Sequence, residues 1–418
     1  MTFNKIEMNG YTLYHIPNKK FKTFTIGAYF FRPLTKEGMI ESSILSNILM
    51  KYNQNYPTEQ LLTKYLEDLY GTTLYVGFNR NALVNSMSFI IKSINDEYLI
   101  DNQIDLFKET IRLLNDTINL PVFEEDKFNL EKELLIEDIE RVHDDKVQYA
   151  NLQFIKAMYP NEQCRHSIAS MKEEAKEVML DDIKKEYESL LKAKKVFFVI
   201  GDFDFNKIVE EFKLISFEES NVSNLNFLDY ETKEILEVNE IVEHENNNQS
   251  IVIMGYRTEI RENDELYSAM FLLNNMLGGF FHSTLFQEIR EKHSLAYTVH
   301  SEYSSKKGTF AITAGISANK YQEFKDIVYN ILNDYKNGFI DDEIINLTKK
   351  MLVNAQYKIA DQPSYGMNTI IKDISGGREL TLEEKVDIIN GITKEQLIQC
   401  ANMLKLDTIY FLEGNKWN

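Results

Sequence analysis

Cysteine is scarce in this chain, which has two, Cys164 and Cys400, among its 418 residues. Two cysteines so far apart in the sequence predict no disulfide framework and favour a reducing compartment. Long apolar runs are missing as well, since none approaches the roughly 18–20 residues that span a bilayer. Residues 1–10 lack the apolar core of a signal peptide. The sequence therefore predicts a cytoplasmic protein with no membrane partner.

Basic residues are outnumbered, with 46 Lys and Arg against 65 Asp and Glu, giving a formal net charge of −19. Because phosphate backbones bind to positive surfaces, this balance predicts that nucleic acid is not a partner. The same acidity allows long-range attraction of cationic peptides, or it reflects only a soluble acidic surface.

The length predicts two to three domains. Polar stretches at 218–224 and 243–248 predict a solvated connection. We therefore predict a first domain over residues 1–215, a linker over 216–250 and a second domain over 251–418.

The two halves show the same order of predicted elements, which indicates an internal duplication. The first half has a strand at 24–31, helices at 38–51 and 58–70, strands at 73–78 and 86–92, and a closing strand at 196–202. The second half has a strand at 251–256, helices at 265–277 and 283–292, strands at 296–302 and 309–316, and a closing strand at 408–414. Strands without regular helix alternation predict an α+β fold, with two homologous domains that each pack helices on a largely antiparallel sheet.

One segment, residues 277–297, carries a specific motif. It reads Leu277-Gly278-Gly279, then Ser283-x-Leu285-Phe286, then Arg290, then Leu295-Ala296-Tyr297. This pattern resembles the second-domain signature of the insulinase/pitrilysin zinc peptidases, the inverzincins. The resemblance implies two homologous domains that face each other across a chamber. Residues 56–58 and 66–71 look like a bacillary and clostridial subgroup encoded beside an active partner.

The zinc motif of that family, His-x-x-Glu-His, does not occur in this sequence. Aligning Gly38 with the family's glycine places Glu41, Ile44 and Leu45 at the His, Glu and His positions. Zinc requires lone pairs from imidazole, thiolate or carboxylate, and Ile44 and Leu45 offer none. The stripe of Ile44, Leu45, Ile48 and Leu49 predicts core packing instead.

The family's third zinc ligand is a glutamate on a later helix. Glu131, Glu133, Glu137 and Glu140 are the candidates, and we predict that they form a solvated helix face. Cys164-x-His166 is the close-spaced pair that includes a soft ligand, and no second pair complements it. We therefore predict no metal and no cofactor in this chain, and the resemblance implies zinc in a partner subunit.

Arg290 and Tyr297 match the family's catalytic Arg and Tyr, which hydrogen-bond the substrate carbonyl and stabilise oxyanion charge. The resemblance therefore implies catalytic roles for both. The alternative is that Arg290 pairs with Glu288 or Glu291 while Tyr297 packs in the sheet.

The resemblance also implies that peptide substrate binds as an added strand beside Leu74, Tyr75 and Val76. Gly278 and Gly279 either let a loop approach substrate backbone or only connect two helices.

The resemblance favours a non-zinc-binding subunit of a heteromeric zinc metalloendopeptidase, which is not an enzyme by itself. Its partners would be a zinc-bearing paralogue and a peptide substrate, with a homodimer as the alternative when the chain is alone. The competing hypothesis is a catalytically inactive peptide-binding or scaffold protein of the same fold. An active zinc peptidase that acts alone would require three protein ligands for the metal.

Overall fold

The computed structural model of the protein describes residues 3–36, 38–81, 83–99, 104–222, 225, 227, 233–375 and 380–415. Among these residues, no helix combines the length and apolarity needed to cross a membrane.

The first half of the chain contains the following elements. The strands are β1 (Asn4–Met8), β2 (Tyr11–Pro17), β3 (Thr23–Pro33), β4 (Thr73–Asn81), β5 (Val84–Ile94) and β6 (Lys194–Gly201). The helices are α1 (Met39–Lys51), α2 (Glu59–Asp68), α3 (Leu106–Asn119), α4 (Glu125–Asp144), α5 (Lys146–Met158), α6 (Lys172–Glu177), α7 (Leu180–Leu191) and α8 (Phe205–Phe212).

The second half contains the corresponding set. The strands are β7 (Asn239–His244), β8 (Ser250–Arg257), β9 (Ala296–Ser304), β10 (Thr309–Ile316) and β11 (Lys405–Glu413). The α-helices are α9 (Tyr267–Asn274), α10 (Tyr321–Lys336), α11 (Asp342–Ala360), α12 (Tyr365–Ile374), α13 (Leu382–Gly391) and α14 (Lys394–Asn402). Two π-helical segments, π1 (Asn275–Gly279) and π2 (Phe286–Lys292), lie between α9 and β9.

The described strands form two sheets of the same design. One has the order β1-β2-β6-β3-β5-β4 and the other has the order β7-β11-β8-β10-β9. Strand β2 runs parallel to β6, and β7 runs parallel to β11, whereas the other neighbouring pairs are antiparallel. Apart from the extra strand β1, order and direction repeat. The prediction of an α+β fold with largely antiparallel sheets is confirmed.

The chain divides into two compact units that are not continuous in sequence. The first unit comprises Met1–Glu140, Ile168–Phe227 and Gln362–Gly376, and the second comprises Arg141–Ser167, Leu228–Asp361 and Gly377–Asn418. The predicted ranges 1–215 and 251–418 were continuous. Helix α5 therefore belongs to the second unit and helix α12 to the first, although each lies in the opposite half of the sequence.

Both sheets are covered on two faces, which explains their apolar central strands. In the first unit one core contains the inward side of β3 with α1, α3 and α7, and α12 packs on the other face through Met367 and Ile370. In the second unit α5 packs on β8 and β11 through Phe154 and Met158. Gly255 in β8 permits this contact, since a Cβ there would lie 2.5 Å from the Phe154 ring.

Local signals placed several element ends correctly. Thr58 caps α2 by accepting a hydrogen bond from the Leu61 N–H at 3.3 Å, and Gly71 follows the helix with φ +72°. Strand β10 has the predicted bounds.

The connection between the halves differs from its prediction. Residues 239–244, which we assigned to a solvated linker, form β7 at the edge of the second sheet. Its alternating exposed and half-buried residues explain the error, because an edge strand with one solvated face has the polarity of a loop.

Candidate functional site

The Leu-Gly-Gly motif sits in a π-helical turn packed tightly on strand β9. A Cβ at Gly278 would lie 2.4 Å from the backbone nitrogen of Ser301. The Ser301 hydroxyl donates to the Asn274 carbonyl oxygen at 3.0 Å, which holds the end of α9 against the same strand. Gly278 therefore lies in an internal packing contact, while Gly279 is exposed.

We expect Gly278→Ala to destabilise the protein by about 1–3 kcal/mol, because the added methyl group would force the π-helical turn away from the Ser301 backbone. Chemical denaturation followed by circular dichroism measures the change. Gly391→Ala is the matched control, since no atom lies within 4 Å of the Cβ it would add. Equal stability of the two variants would contradict the packing role.

Arg290 lies between two aromatic rings. Its guanidinium carbon is 4.7 Å from the centroid of the Phe286 ring and 5.8 Å from that of Tyr297. Cation–π contacts at such distances attract a guanidinium without consuming its N–H donors. The two predicted catalytic residues are therefore neighbours, and the aromatic contacts orient the Arg290 side chain.

The turn that joins them has an unusual backbone. The N–H of Ser294 donates to the Arg290 carbonyl at 3.1 Å and that of Leu295 donates to the Ile289 carbonyl at 2.9 Å. Ser294 has φ +49°, in the left-handed region that non-glycine residues rarely adopt. Strained backbone and π-helical turns both occur preferentially at functional sites, which fits this position.

Local carboxylates do not sequester Arg290. Its Nε lies 3.7 Å from Glu291 Oε1, and both side chains are largely solvated, so this pair contributes little. Glu288 instead accepts a hydrogen bond from Lys292 at 2.8 Å. Tyr297 is 76% exposed and does not pack in the sheet. The loose pair with Glu291 matches one part of the alternative prediction, whereas the exposed Tyr297 ring does not match the other part.

Arg290, Ser294 and Tyr297 open onto one cleft of about 470 Å³. Asn248, Gln249, Leu295, Ala296, Gly315, Ile316 and Ser317 complete its lining. A guanidinium and a phenol there present N–H and O–H donors to the same space. The arrangement is suited to hydrogen-bonding a carbonyl oxygen or an oxyanion.

The positions that correspond to the zinc motif do not fit a metal ion. Ile44 and Leu45 are fully buried in the first core with Ile48 and Leu49, as predicted. Glu41 accepts a hydrogen bond from the Gly38 N–H at 3.0 Å and so caps its own helix. Among the residues that the structure describes, no three His, Cys, Asp or Glu side chains form a group that could hold a metal. The side chain of Cys164 lies outside the described part.

The prediction that Glu131 is solvated is wrong. Glu131 is fully buried, and its carboxylate accepts hydrogen bonds from Lys51 Nζ at 2.8 and 2.9 Å and from the Tyr52 hydroxyl at 3.2 Å. Its spacing from Phe128, Leu135 and Ile139, which are also buried, explains this placement. A glutamate on an apolar helical stripe was the signal available in the sequence. Glu133, Glu137 and Glu140 are exposed, as predicted.

Burial raises the pKa of Glu41 above its ordinary value, against the opposing effect of the hydrogen bond from Gly38. A carboxyl group whose pKa is higher in the folded state binds its proton more tightly there, so stability falls as pH rises through that pKa. We expect Glu41→Gln to gain melting temperature relative to the native chain as pH rises from about 4.5 towards 7. Melting curves across this range test it, and a constant difference would contradict it.

Leu74, Tyr75 and Val76 lie in β4, the outer strand of the first sheet, which pairs with β5 along one side. Val76 is buried, whereas Tyr75 is 52% exposed. A sheet edge of this kind offers backbone donors and acceptors to an added strand. These residues belong to the first unit, and Arg290 and Tyr297 belong to the second.

Comparison with known proteins shows which peptidases the chain resembles. Residues 177–352 match the model described as the peptidase M16 inactive domain. The chain is 28% identical to the Bacillus subtilis protein named probable inactive metalloprotease YmfF, over 99% of this chain and 98% of the relative. The chain thus resembles inactive peptidase M16 proteins, through one matching domain and a relative that aligns with nearly its whole length. The predicted resemblance to the insulinase/pitrilysin zinc peptidases is confirmed.

Other known proteins resemble the chain in fold or in part of the sequence. The crystal structure of a conserved Enterococcus faecalis protein matches with a TM-score of 0.92 and 26% identity, over 100% of this chain and 99% of that one. A Helicobacter pylori protease structure matches in fold, with a TM-score of 0.79, 17% identity and 99% coverage of both chains. The uncharacterized zinc protease YmxG of Bacillus subtilis is 27% identical over 37% of this chain and 39% of the relative. The chain is thus a homologue of zinc proteases, and in this chain Ile44 and Leu45 make two of the three metal-motif positions apolar.

Proposed function

We propose that this M16 chain is the non-zinc-binding subunit of a two-chain cytoplasmic peptidase and that it supplies Arg290 and Tyr297 to a zinc-bearing partner. The observation that carries the proposal is that those two side chains are in contact and that both line one open cleft. Ile44 and Leu45 fill the metal-motif positions, so zinc and the general base would come from the partner.

The chemistry assigned to each side chain follows from its type. Arg290 carries a permanent positive charge and several N–H donors, so it would hold the substrate carbonyl and oppose negative charge on its oxygen. Tyr297 would donate a neutral hydrogen bond to the same oxygen. Donors fixed before the reaction stabilise an oxyanion without reorganising, and the aromatic contacts of Arg290 support such fixation.

The substrate in this proposal is a peptide bound in extended form. Strand β4 has a free side at Leu74, Tyr75 and Val76, where a peptide would add as a further strand. Main-chain hydrogen bonds give such binding little sequence preference, and the net charge of −19 favours mildly basic peptides. In the absence of the partner, a homodimer is the alternative assembly.

The test mixes this protein with the zinc-bearing M16 paralogue from the same genome and follows cleavage of fluorogenic, mildly basic peptides. Each chain is also assayed alone at the same concentration. Activity in the mixture alone would support a shared site. Full activity of the paralogue alone, unchanged on mixing, would reject the proposal and favour a peptide-binding or scaffold role.

A further inference from the structure

A second cavity, in the second unit, is lined mainly by basic residues, although the chain as a whole is acidic. It has a volume of about 530 Å³, and its lining residues differ from those of the cleft of Arg290 and Tyr297. Its basic lining residues are Lys233, Arg257, Arg261, Lys307 and Lys405, and its acidic lining residue is Glu259. We propose that this basic cavity binds a small multivalent oxyanion, of the phosphate or polycarboxylate class. The proposal is independent of the proposed peptidase role.

Arg257 forms the rigid wall of the basic cavity. Its Nε donates to Asp407 Oδ2 at 2.6 Å, and its terminal nitrogens donate to Glu162 Oε1 at 2.7 Å and to the Met158 carbonyl at 2.6 Å. Lys233 donates to the other oxygen of Asp407 at 2.7 Å. These carboxylates balance two of the five basic residues and fix their positions.

Of the other three basic residues, Lys307 and Lys405 carry positive charge that no carboxylate in the described part of the chain pairs with. Lys307 Nζ lies 5.1 Å from the centroid of the Tyr159 ring. That ring is buried, and its hydroxyl shares a hydrogen bond with the Thr309 hydroxyl at 2.8 Å. A cation held by a fixed ring keeps all three N–H donors for a ligand.

The backbone around these side chains is also held in place. The N–H of Thr258 donates to the Gly308 carbonyl at 2.8 Å, which ties the turn that carries Lys307 to the end of β8. Arg261 donates from a terminal nitrogen to the Glu259 carbonyl at 3.2 Å. The cavity is therefore positioned before any ligand arrives, and preorganised cations lose little freedom on binding.

The chemistry of the lining selects the ligand class. The ammonium groups of Lys307 and Lys405 act as point charges towards the oxygens of a phosphate or carboxylate. A concave basic surface on an acidic protein concentrates positive electrostatic potential inside the cavity. A ligand with two or more negative charges and several acceptor oxygens satisfies Lys307 and Lys405 together.

Calorimetric titration of the full-length chain tests the inference at constant ionic strength in NaCl. Inorganic phosphate, pyrophosphate and citrate are titrated separately, so that phosphoryl and carboxylate ligands are distinguished. We expect saturable one-to-one binding, tighter for pyrophosphate than for phosphate. Absence of saturable binding for all three would overturn the proposal.

Variants locate the site. Lys307→Ala and Lys405→Ala should each weaken binding at least about tenfold, because each removes a charged hydrogen-bond donor. Lys306→Ala is the matched control, since Lys306 is the sequence neighbour and pairs with Glu262 at 3.4 Å. Equal weakening by Lys306→Ala would overturn the assignment to this cavity. Melting temperatures confirm that all variants fold.

Discussion

Arg290→Ala should lower the kcat of the reconstituted two-chain peptidase by about 10²–10³-fold, the loss found when one oxyanion donor is removed. The side chain is 40% exposed and makes one loose ion pair, so its removal should leave the fold intact. Steady-state cleavage of a fluorogenic peptide at saturating partner concentration measures the effect. This expectation depends on the shared-site proposal.

Tyr297→Phe should have a smaller effect, about tenfold, because it removes one neutral hydrogen bond and keeps the ring. The ring that remains still contacts the Arg290 guanidinium, which lies 5.8 Å from its centroid. Loss of kcat with little change in KM would indicate an interaction made in the transition state. If the Arg290 and Tyr297 variants instead raise KM and leave kcat unchanged, both residues act in substrate binding.

Lys292→Ala is the matched control for these variants. Lys292 lies two residues from Arg290 in the same helix, and it pairs with Glu288 on the solvated surface at 2.8 Å. Its replacement removes a positive charge of the same region without touching the cleft. If Arg290→Ala and Tyr297→Phe cleave peptides as fast as this control, the shared-site model is wrong.

Local features of the sequence predicted most of the strands and several helices. Thr58 and Gly71 bounded α2 because capping and left-handed backbone depend on the residues at that point. The apolar positions Ile44 and Leu45 correctly indicated core rather than metal ligands. Arg290 and Tyr297 were located by a motif, and their mutual contact required the structure because it depends on the turn at Ser294.

Long-range features were not predictable in this way. Hydrophobic periodicity shows that α5 and α12 have apolar faces, but it does not show which sheet each helix covers. The π-helical geometry of π1 and π2 was missed because short π-helical turns interrupt the helical period too briefly to register. The partners of Arg257 lie 95 and 150 residues away in the sequence, so no local pattern connects them.

Replacing Arg257 should produce the largest loss of stability in the second unit. Arg257→Met removes one hydrogen-bond donor from each of two buried carboxylates, Glu162 and Asp407, whose side chains are 3% and 1% exposed. Asp407 keeps the hydrogen bond from Lys233, whereas Glu162 is left without its ion-pair partner. Breaking a buried ion pair from one side typically costs about 3–5 kcal/mol, because a buried charge loses its partner. Urea denaturation followed by circular dichroism measures the loss.

The charge network itself explains why Arg is required there. Burial alone would lower the pKa of Arg257, yet the hydrogen bonds to Asp407 and Glu162 outweigh burial and raise it. Arg257→Lys keeps the charge but loses the planar fork that reaches Asp407, Glu162 and the Met158 carbonyl together, so an intermediate loss is expected.

Two further variants separate buried charge from lost packing. Arg257→Met combined with Glu162→Leu and Asp407→Leu should recover much of the stability, because no buried charge is then left without its partner. Lys213→Ala, which breaks an exposed pair with Glu210, should change stability by no more than about 1 kcal/mol. If the combined variant is no more stable than Arg257→Met, the loss comes from packing around the side chain rather than from stranded carboxylates.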